Sequence, residues 1–564
     1  MAQRSRAHRL LLAVCSVFAL LSLALVPLTL PLGWDEIVYA SRYSPYAPAT
    51  PFSAPRTRGV PFLIAPVATW SDSVVLLRVW LTLLSTTALY LGFRPWLRVL
   101  HRPSAVAVAA ALYGGLWFTL FYASAAMPNH YTAMGAVGAV GLFLWPRQSA
   151  ATRAGIAAGL ALATLMRPND GVALGVPLLA AALTVPGWRG RGRVLTVLGG
   201  VAAGALPWIV EAYVRFGGVR ERLTEASEVQ GDLRPLLSFV HHLTVMDGPL
   251  LCRPCGSDGI RPLAAEWWLL LPFLVAVGLW SVTGLRSVAG LRSNAGLGSV
   301  TGRGSVTGLW KRQPLNQNQN QNQNRRQRQS QNRHQHRHQH HRQSQNQHQH
   351  QHPAPAPIVL RGCLLAGVTA LAVALPYLLL VPYAAPRFLL PAHALLTPAA
   401  ALGVLALAGA ARASRWPRLG VIVLGLALAG HLVVQLLLAH GNARIQAGAR
   451  GDWARVADVL HAHGVGATAG TPCVLRGNTS VIPVAYASGC APGGSAYSTD
   501  SPGSTNSPAS TSSTGSADSR GPGAPHRPTA LVLREADPPR WARSWPRHPV
   551  PGTYAPGWVI HVRP

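Results

Sequence analysis

The chain has 564 residues, of which 49% are hydrophobic and only 12% are charged, and it carries a formal net charge of +31 at pH 7. This composition argues against a soluble globular domain and predicts a protein with several membrane spans. The basic residues are dispersed among the connections between apolar segments, so the net charge does not indicate nucleic-acid binding.

Apolar runs of membrane-spanning length recur along the chain and predict an α-helical polytopic membrane protein with about 11 transmembrane helices. The first run follows Arg4, Arg6 and Arg9 and lacks a small-residue cleavage site, so we interpret it as an uncleaved anchor. The predicted spans lie at about residues 9–30, 73–92, 104–122, 130–145, 153–167, 170–186, 193–212, 266–285, 358–382, 388–410 and 418–440.

The distribution of charge predicts the orientation. With the N-terminus in the cytoplasm, more than half of the Lys and Arg residues lie in cytoplasmic connections, and all 18 acidic residues lie in the alternate, external segments. The C-terminal region is then external.

The basic residues are almost all arginine, and Ala, Gly and Pro are abundant. This usage is typical of a GC-rich genome and favours a bacterial plasma membrane.

The chain divides into four predicted regions. Residues 1–285 form an N-terminal transmembrane region whose first external loop is 31–72. Residues 286–357 form a low-complexity cytoplasmic loop, rich in Gln, Asn, Arg and His, that cannot bury a core. Residues 358–440 hold the last transmembrane helices. Residues 441–564 are predicted to form a small external α/β domain, which a flexible Ser/Thr/Gly/Pro insert interrupts at about 494–526.

The six cysteines fall into two groups. Cys15 and Cys363 lie in apolar spans and are predicted to be packing residues. Cys252 and Cys255 lie in one external segment and Cys473 and Cys490 in another, where an oxidising environment permits disulfides. The sequence leaves structural bridges and free thiols open for both pairs.

An acidic pair, Asp35 and Glu36, directly follows the first span. Carboxylates at the end of a membrane helix are costly beside lipid, so they indicate either a functional polar cavity or a solvated loop start. The segment Ile37–Tyr43 can continue as a short amphipathic helix. Arg56 and Arg58 follow in the same loop and suit an anionic head group, although interfacial snorkelling would also explain them.

More polar residues recur near the predicted external surface. Arg78 lies inside the second span, where it requires a charged partner or a cavity, and structural pairing is as good an explanation as substrate contact. His130 opens the fourth span, Arg167 lies in an Arg-Pro-Asn-Asp-Gly segment typical of a turn, and Arg387 lies in Ala-Pro-Arg-Phe-Leu-Leu-Pro. Their common sidedness predicts one shared polar cavity.

These segments resemble the GT-C superfamily of membrane glycosyltransferases, which use polyprenyl-phosphate sugars. The resemblance is to the dolichyl-phosphate-mannose mannosyltransferase or RgtA-D-like type. Five segments carry it: Leu32–Glu36, Arg56–Leu63, Leu77–Trp80, Arg167–Asn169 and Ala385–Pro391. It covers about residues 10–440.

The resemblance implies transfer of a sugar from a polyprenyl-phosphate donor to an external cell-envelope glycan or protein acceptor at the bilayer. In this interpretation Asp35 is the general base and Glu36 a second base or an organiser. The substrate-binding candidates are Arg56, Arg58, Arg78, His130, Arg167 and Arg387, with arginines on the phosphate side. A divalent metal, Mg²⁺ or Mn²⁺, stays open, and no nucleic acid is expected. A non-catalytic envelope-assembly protein and a transporter are the alternatives.

Overall fold

The computed structural model describes residues 2–45, 47–100, 102–253, 255, 262–295, 356–467, 473–495 and 529–564. The chain forms two units. One comprises Met1–Leu279 with Gly362–Pro564, and the other comprises Trp280–Arg361. In the second unit the described residues are helical, at 280–295 and 356–361. The low-complexity tract from 296 to 355 lies outside the described residues.

Most of the described chain is α-helical. The helices in chain order are α1 (Ala2–Leu25), α2 (Trp34–Ala40), α3 (Gly59–Ala68), α4 (Val74–Phe93), α5 (Pro103–Gly114), α6 (Trp117–Tyr122), α7 (Asn129–Phe143), α8 (Ala150–Met166), α9 (Pro168–Thr184), α10 (Arg191–Arg215), α11 (Val219–Val229), α12 (Phe239–Thr244), α13 (Pro262–Ala295), α14 (Ala356–Leu379), α15 (Leu390–Ala413), α16 (Pro417–Ala462) and α17 (Val481–Ser488).

The predicted polytopic helical fold is confirmed, and the structure refines the predicted spans. Seven of the described helices are long and apolar enough to cross a membrane. The other predicted spans contain shorter helices, and the run 104–122 is divided between α5 and α6, where Leu116 is extended. The backbone of α13 stays helical to Ala295, beyond the end predicted at residue 285. The Arg-Pro-Asn-Asp-Gly segment is not a free turn: Arg167 alone is extended between α8 and α9.

The C-terminal module is a five-stranded sheet with helices against it. Its strands are β1 (Val474–Gly477), β2 (Ala491–Ser495), β3 (Ala530–Arg534), β4 (Arg547–Pro549) and β5 (Trp558–Val562), in the order β2-β1-β3-β5-β4. Strand β1 pairs in parallel with β2 and β3, while β5 pairs antiparallel with β3 and β4. Apolar residues of β1, β3 and β5 pack with Val456 and Leu460 of α16 and complete the core.

Helix α16 joins the membrane region to this module without a break. It runs for 46 residues, and the boundary predicted at residue 441 lies inside it. Toward its end Asp452 is fully buried and accepts backbone N–H groups of Tyr554 at 2.6 Å and Ala555 at 2.9 Å. The carboxylate therefore fixes the C-terminal strands to the helix. The predicted insert at 494–526 lies outside the described residues from 496 onward.

Both cysteine pairs that the sequence predicts to be external are disulfides. Cys473–Cys490 closes the start of β1 onto the segment before β2, and Cys252–Cys255 closes a short loop. The backbone of Cys252 also pairs antiparallel with Ala384, so this loop lies against the segment before Arg387. Cys15 and Cys363 are buried free thiols, as predicted for packing residues.

Candidate active site

Helix α2 turns its two acidic side chains in different directions. Its N-terminus is capped when Glu36 Oε2 accepts the backbone N–H of Gly33 at 2.7 Å, which draws Glu36 back toward the helix start. Glu36 is buried, with 3% of its surface exposed, whereas the Asp35 side chain is 34% exposed. Neighbouring positions on one helix thus place one carboxylate inside the protein and leave the other partly exposed; we call the surroundings of the exposed Asp35 side chain the recess.

Glu36 is saturated by donors from four separate parts of the chain. Arg78 approaches both oxygens, with Nη1 2.5 Å from Oε1 and Nη2 3.0 Å from Oε2. Arg450 of α16 donates to Oε2 at 3.1 Å, and the backbone N–H of Ala126 donates to Oε1 at 2.8 Å. With the Gly33 cap, both carboxylate oxygens are fully used. Of the two roles expected for Glu36, these contacts fit the organising role.

The electrostatics of Glu36 agree with that role. Burial by itself would raise its pKa, but the charges of Arg78 and Arg450 and the hydrogen bonds outweigh burial and lower the pKa to about 2. A carboxylate with so low a pKa is a weak proton acceptor. Its contacts in this arrangement join the loop 31–72 to α4 and α16.

Asp35 lies between two arginines from distant segments. Arg56 Nη2 is 2.7 Å from Oδ1, and Arg387 Nη2 is 3.4 Å from Oδ2. Burial acts to raise the Asp35 pKa, but the charges of Arg56 and Arg387 overcome it and leave the pKa below its ordinary value. Asp35 is therefore ionised at neutral pH and is the carboxylate of the pair that faces the recess.

Arg387 is held in place by neutral groups as well as by Asp35. It lies in a turn of 3₁₀-helix at Pro386–Leu389, and its Nη1 donates to the Tyr122 hydroxyl at 3.1 Å and the Leu250 carbonyl at 3.0 Å. Leu250 lies two residues before the loop that the Cys252–Cys255 disulfide closes. The guanidinium is therefore oriented toward the recess before any ligand binds.

Arg167 extends the basic wall. Its guanidinium lies over the rings of Tyr377 and Phe388, 5.0 and 5.1 Å from their centroids, and Arg387 lies 5.2 Å from the same Phe388 ring. Within the described part of the chain its ion pair is with Asp170, at 3.5 Å, and it donates no hydrogen bond. Arg167 therefore keeps donors for a ligand.

Tyr39 connects these groups. It is buried on α2 and packs against Phe52. Burial raises the pKa of its hydroxyl, while the charges of Arg56, Asp35, Arg167 and Arg387 also act on that hydroxyl. Asp35, Arg56, Arg167 and Arg387 therefore all lie within electrostatic range of the Tyr39 hydroxyl.

The other predicted site residues lie elsewhere. Arg78 is buried and is used by Glu36 and by the carbonyls of Leu30 and Ser124. Arg58 points away from the acidic pair and binds Glu211. His130 is buried between the Tyr113 hydroxyl, 3.0 Å from Nδ1, and the Ser85 carbonyl, 2.9 Å from Nε2. In this arrangement these three side chains serve packing and pairing.

Sequence reasoning missed Arg450 and Tyr122. Arg450 lies in a helix that continues beyond the membrane region, in a polar segment that looks like a solvated surface. Nothing in that segment predicts a partner more than 400 positions earlier. Tyr122 ends an aromatic run that the periodicity assigns to a membrane span. Only the fold brings its hydroxyl to Arg387.

The recess does not fit a resident divalent cation. Guanidinium groups already occupy both oxygens of Asp35, and five donors occupy those of Glu36. Among the residues that the structure describes, no group of three or more His, Cys, Asp or Glu side chains could hold a metal ion.

Comparisons with known proteins establish the fold. No protein-family model matches the chain, and no curated protein matches it. The crystal structure of ArnT from Cupriavidus metallidurans bound to undecaprenyl phosphate is similar over 97% of both chains, with a TM-score of 0.52 and 13% identity. This likeness confirms the predicted fold, a polytopic helical membrane region with a small C-terminal domain.

Two structures of the Archaeoglobus fulgidus oligosaccharyltransferase show a weaker similarity. The AglB complex with an inhibitory peptide and a dolichol-phosphate has a TM-score of 0.44 and 12% identity, over 86% of this chain and 64% of that one. The apo form has a TM-score of 0.43 and 12% identity, over 86% and 65%. The chain thus spans less than two thirds of the length of these oligosaccharyltransferase chains.

Proposed function

We propose that the protein is a membrane glycosyltransferase that transfers a sugar from a polyprenyl-phosphate donor to a cell-envelope glycan or protein acceptor. The observation that carries the proposal is the pairing at Asp35: one accessible carboxylate between Arg56 and Arg387, with Arg167 beside them. A general base and a cationic phosphate site are the two elements that this transfer needs. The shared fold with ArnT, whose crystal contains undecaprenyl phosphate, supports a donor of this class.

In this proposal each residue of the recess has a separate role. Asp35 is ionised at neutral pH and takes the proton of the acceptor hydroxyl as that oxygen attacks the anomeric carbon. The bond from that carbon to the phosphate oxygen breaks, and Arg387, Arg56 and Arg167 stabilise the negative charge that develops on the leaving phosphate. Glu36 with Arg78 and Arg450 keeps α2 in position.

The ion pairs at Asp35 also couple donor binding to basicity. In the free protein Arg56 and Arg387 stabilise the Asp35 carboxylate and make it a weak base. A bound phosphate competes for the same guanidinium donors. As those donors turn toward phosphate, the Asp35 pKa rises toward its ordinary range, and the carboxylate becomes a better proton acceptor in the complex than in the free protein.

We place this reaction at the external face of a bacterial plasma membrane, with the N-terminus in the cytoplasm. The support is the charge asymmetry of the sequence together with the common sidedness of Asp35, Arg167, Arg387 and the C-terminal module, which α16 connects to Glu36 through Arg450. The catalytic first external loop at 31–72 and the module at 441–564 are then on the same side of the membrane.

The test is a transfer assay with the full-length protein in detergent or nanodiscs. The donors are polyprenyl-phosphate hexoses and pentoses, and the acceptors are supplied as an envelope extract from a deletion strain. We expect release of polyprenyl phosphate and incorporation of labelled sugar with one donor class. Donor binding without turnover would favour the non-catalytic assembly protein, and movement of intact donor between leaflets would favour the transporter.

A further inference from the structure

A second charged group lies on the other side of the Ser53–Arg58 segment. We call it the arginine cluster, and it comprises Arg42, Arg58, Arg215 and Arg222 around Glu211. Glu211 Oε1 accepts from Arg58 at 2.5 and 3.0 Å and from Arg215 at 3.2 Å, and Oε2 accepts from Arg222 at 3.0 Å. Three guanidinium groups thus share the Glu211 carboxylate, and Arg42 lies within electrostatic range of it, which leaves a local excess of positive charge.

The cluster has one structural arginine and three with unused donors. Arg222 is fully buried and donates to the carbonyls of Ala54, Arg56 and Trp208, so it braces the loop that carries Arg56. The other three members, Arg42, Arg58 and Arg215, are partly exposed.

Arg42 shows most clearly that the cluster has more positive charge and more donors than its acceptors can satisfy. Its Nη2 donates to the Thr50 carbonyl at 2.7 Å, but its Nε is buried with no partner in the described chain. Burial lowers the pKa of Arg42 to about 10, and the charges of Arg58 and Arg215 contribute to that decrease. A buried donor without an acceptor and repelling neighbours both favour the entry of an anion.

The guanidinium planes are also fixed in advance. Arg42 and Arg58 both lie over the ring of Phe52, at 5.0 and 4.5 Å from its centroid. Phe52 is buried, with 6% exposure, so it is a rigid platform. Guanidinium forks that are held in fixed orientations bind phosphate oxygens in bidentate fashion with a small entropic cost.

The surface around the cluster indicates where the anion comes from. Arg215 ends α10, and the preceding turns of that helix expose Leu206, Val210 and Val214 at 58%, 52% and 76%. A row of exposed apolar residues on a membrane helix faces lipid tails, and an arginine at its end lies at head-group level.

We propose that Arg42, Arg58 and Arg215 form a second anion site, separate from the Asp35 recess, which binds the phosphate of an anionic membrane lipid. The site does not depend on the transfer reaction proposed above. The shared chemistry is a phosphate group, and the apolar row on α10 assigns it to a lipid head group rather than to free phosphate.

The experiment measures lipid binding to the full-length protein in detergent, with phosphatidylglycerol as the anionic probe and phosphatidylcholine as the zwitterionic one. The variants are the double substitution Arg42→Gln with Arg58→Gln and the single substitution Arg215→Gln. Arg220→Gln is the matched control, because Arg220 is an exposed arginine on the adjacent α11. Unfolding temperature in the same detergent confirms that each variant is folded.

We expect the wild-type protein to prefer phosphatidylglycerol, the double variant to lose about tenfold or more in affinity, and Arg220→Gln to bind like the wild type. Added salt should weaken binding. Equal affinity for the two lipids, or unchanged affinity in both Arg215→Gln and the double variant, would overturn the proposal. Complete displacement of phosphatidylglycerol by low-millimolar inorganic phosphate would overturn the lipid assignment. If the double variant fails to fold, the phosphatidylglycerol affinity of Arg215→Gln alone tests the proposal.

Discussion

At the level of single residues, the acidic pair shows how one helix can give neighbouring carboxylates opposite roles. Position along the chain identified both residues, but only the fold distinguishes them. Glu36 turns back to cap its own helix and meets Arg78 and Arg450, while Asp35 faces the recess. No sequence pattern states which of two adjacent acids is buried, because that depends on the segments that pack over them.

Glu36 gives the first prediction, which concerns stability against pH. Its folded pKa, about 2, lies below its unfolded value of roughly 4.3. The group therefore contributes stability above the unfolded pKa, and that contribution is lost as the pH falls through the folded value. Thermal unfolding should be independent of this group from pH 7 to about pH 5 and should decline below that.

The matched variant for this prediction is Glu36→Gln. It breaks a buried pair, so it should cost about 3–5 kcal/mol at neutral pH and should flatten the acid decline. Asp35→Asn, at a side chain that is 34% exposed, should change the unfolding temperature little. An Asp35→Asn variant that is as unstable as Glu36→Gln would contradict the assignment of Glu36 as the organiser.

At the level of secondary-structure elements, the sequence predicted most helices and strands and missed the contacts between them. The sequence indicates strands at the apolar runs Ala530–Leu533 and Val559–Val562, because buried strands are continuously apolar. Strands β2 and β4 were missed, since Ala491–Ser495 is rich in Gly and Pro and Arg547–Pro549 is polar. The single continuous helix α16 was missed because the apolar pattern ends well before the helix does.

Helix α16 gives the second prediction. Arg450→Gln removes the guanidinium that binds Glu36 at 3.1 Å and the Pro31 carbonyl at 2.7 Å. The loss of these charge-assisted bonds should cost about 1–3 kcal/mol and should lower transfer activity, because Glu36 of α2 then keeps Arg78 as its one remaining cationic partner among the described residues. Thermal unfolding and the transfer rate provide the two measurements.

Arg444→Gln is the control, because Arg444 is exposed on the same helix. It should change stability by less than about 0.5 kcal/mol. If Arg450→Gln behaves like Arg444→Gln in both measurements, the contact between α16 and the acidic pair has no role.

The loop closed by Cys252–Cys255 gives the third prediction. The backbone of Cys252 pairs with Ala384, and the carbonyl of Leu250, two residues earlier, accepts a hydrogen bond from Arg387. Replacing both cysteines by serine should loosen that carbonyl and weaken donor binding by about two- to tenfold, with little change in overall unfolding. Donor titrations with wild-type and variant protein provide the measurement.

The second disulfide supplies a comparison for this loop. Replacing Cys473 and Cys490 by serine should instead destabilise the C-terminal module, because that bridge lies in its core. The donor affinity of this variant should stay near that of the wild type. If donor affinity falls in the Cys473/Cys490 variant and not in the Cys252/Cys255 variant, the role given to the Cys252–Cys255 loop is contradicted.

At the level of the whole molecule, the sequence predicted the membrane fold because one-sided charge and repeated apolar runs are properties of the entire chain. It did not predict which arginines converge. Arg387 and Arg56 come from segments far apart in sequence and meet at Asp35, whereas Arg58, two residues from Arg56, meets Glu211 instead. The direction in which each side chain leaves the folded loop determines whether it meets Asp35 or Glu211.

The fourth prediction concerns topology. With the N-terminus in the cytoplasm and an odd number of spans, reporter fusions after residues 320 and 460 should report opposite sides of the membrane. The physical reason is the segregation of all 18 acidic residues from the most basic connections. Equal sidedness of the two fusions would contradict the predicted span count and, with it, the proposed external site.

The central claim is that Asp35 is the general base of a glycosyl transfer. Asp35→Asn keeps the shape of the side chain and its ability to accept a hydrogen bond but removes its ability to take a proton. The most direct test is the transfer rate of this variant at saturating polyprenyl-phosphate sugar, with folding and donor affinity checked on the same preparation. We predict a rate about 10²–10⁴-fold below the wild type, with donor binding retained. A full wild-type rate in Asp35→Asn would contradict the account.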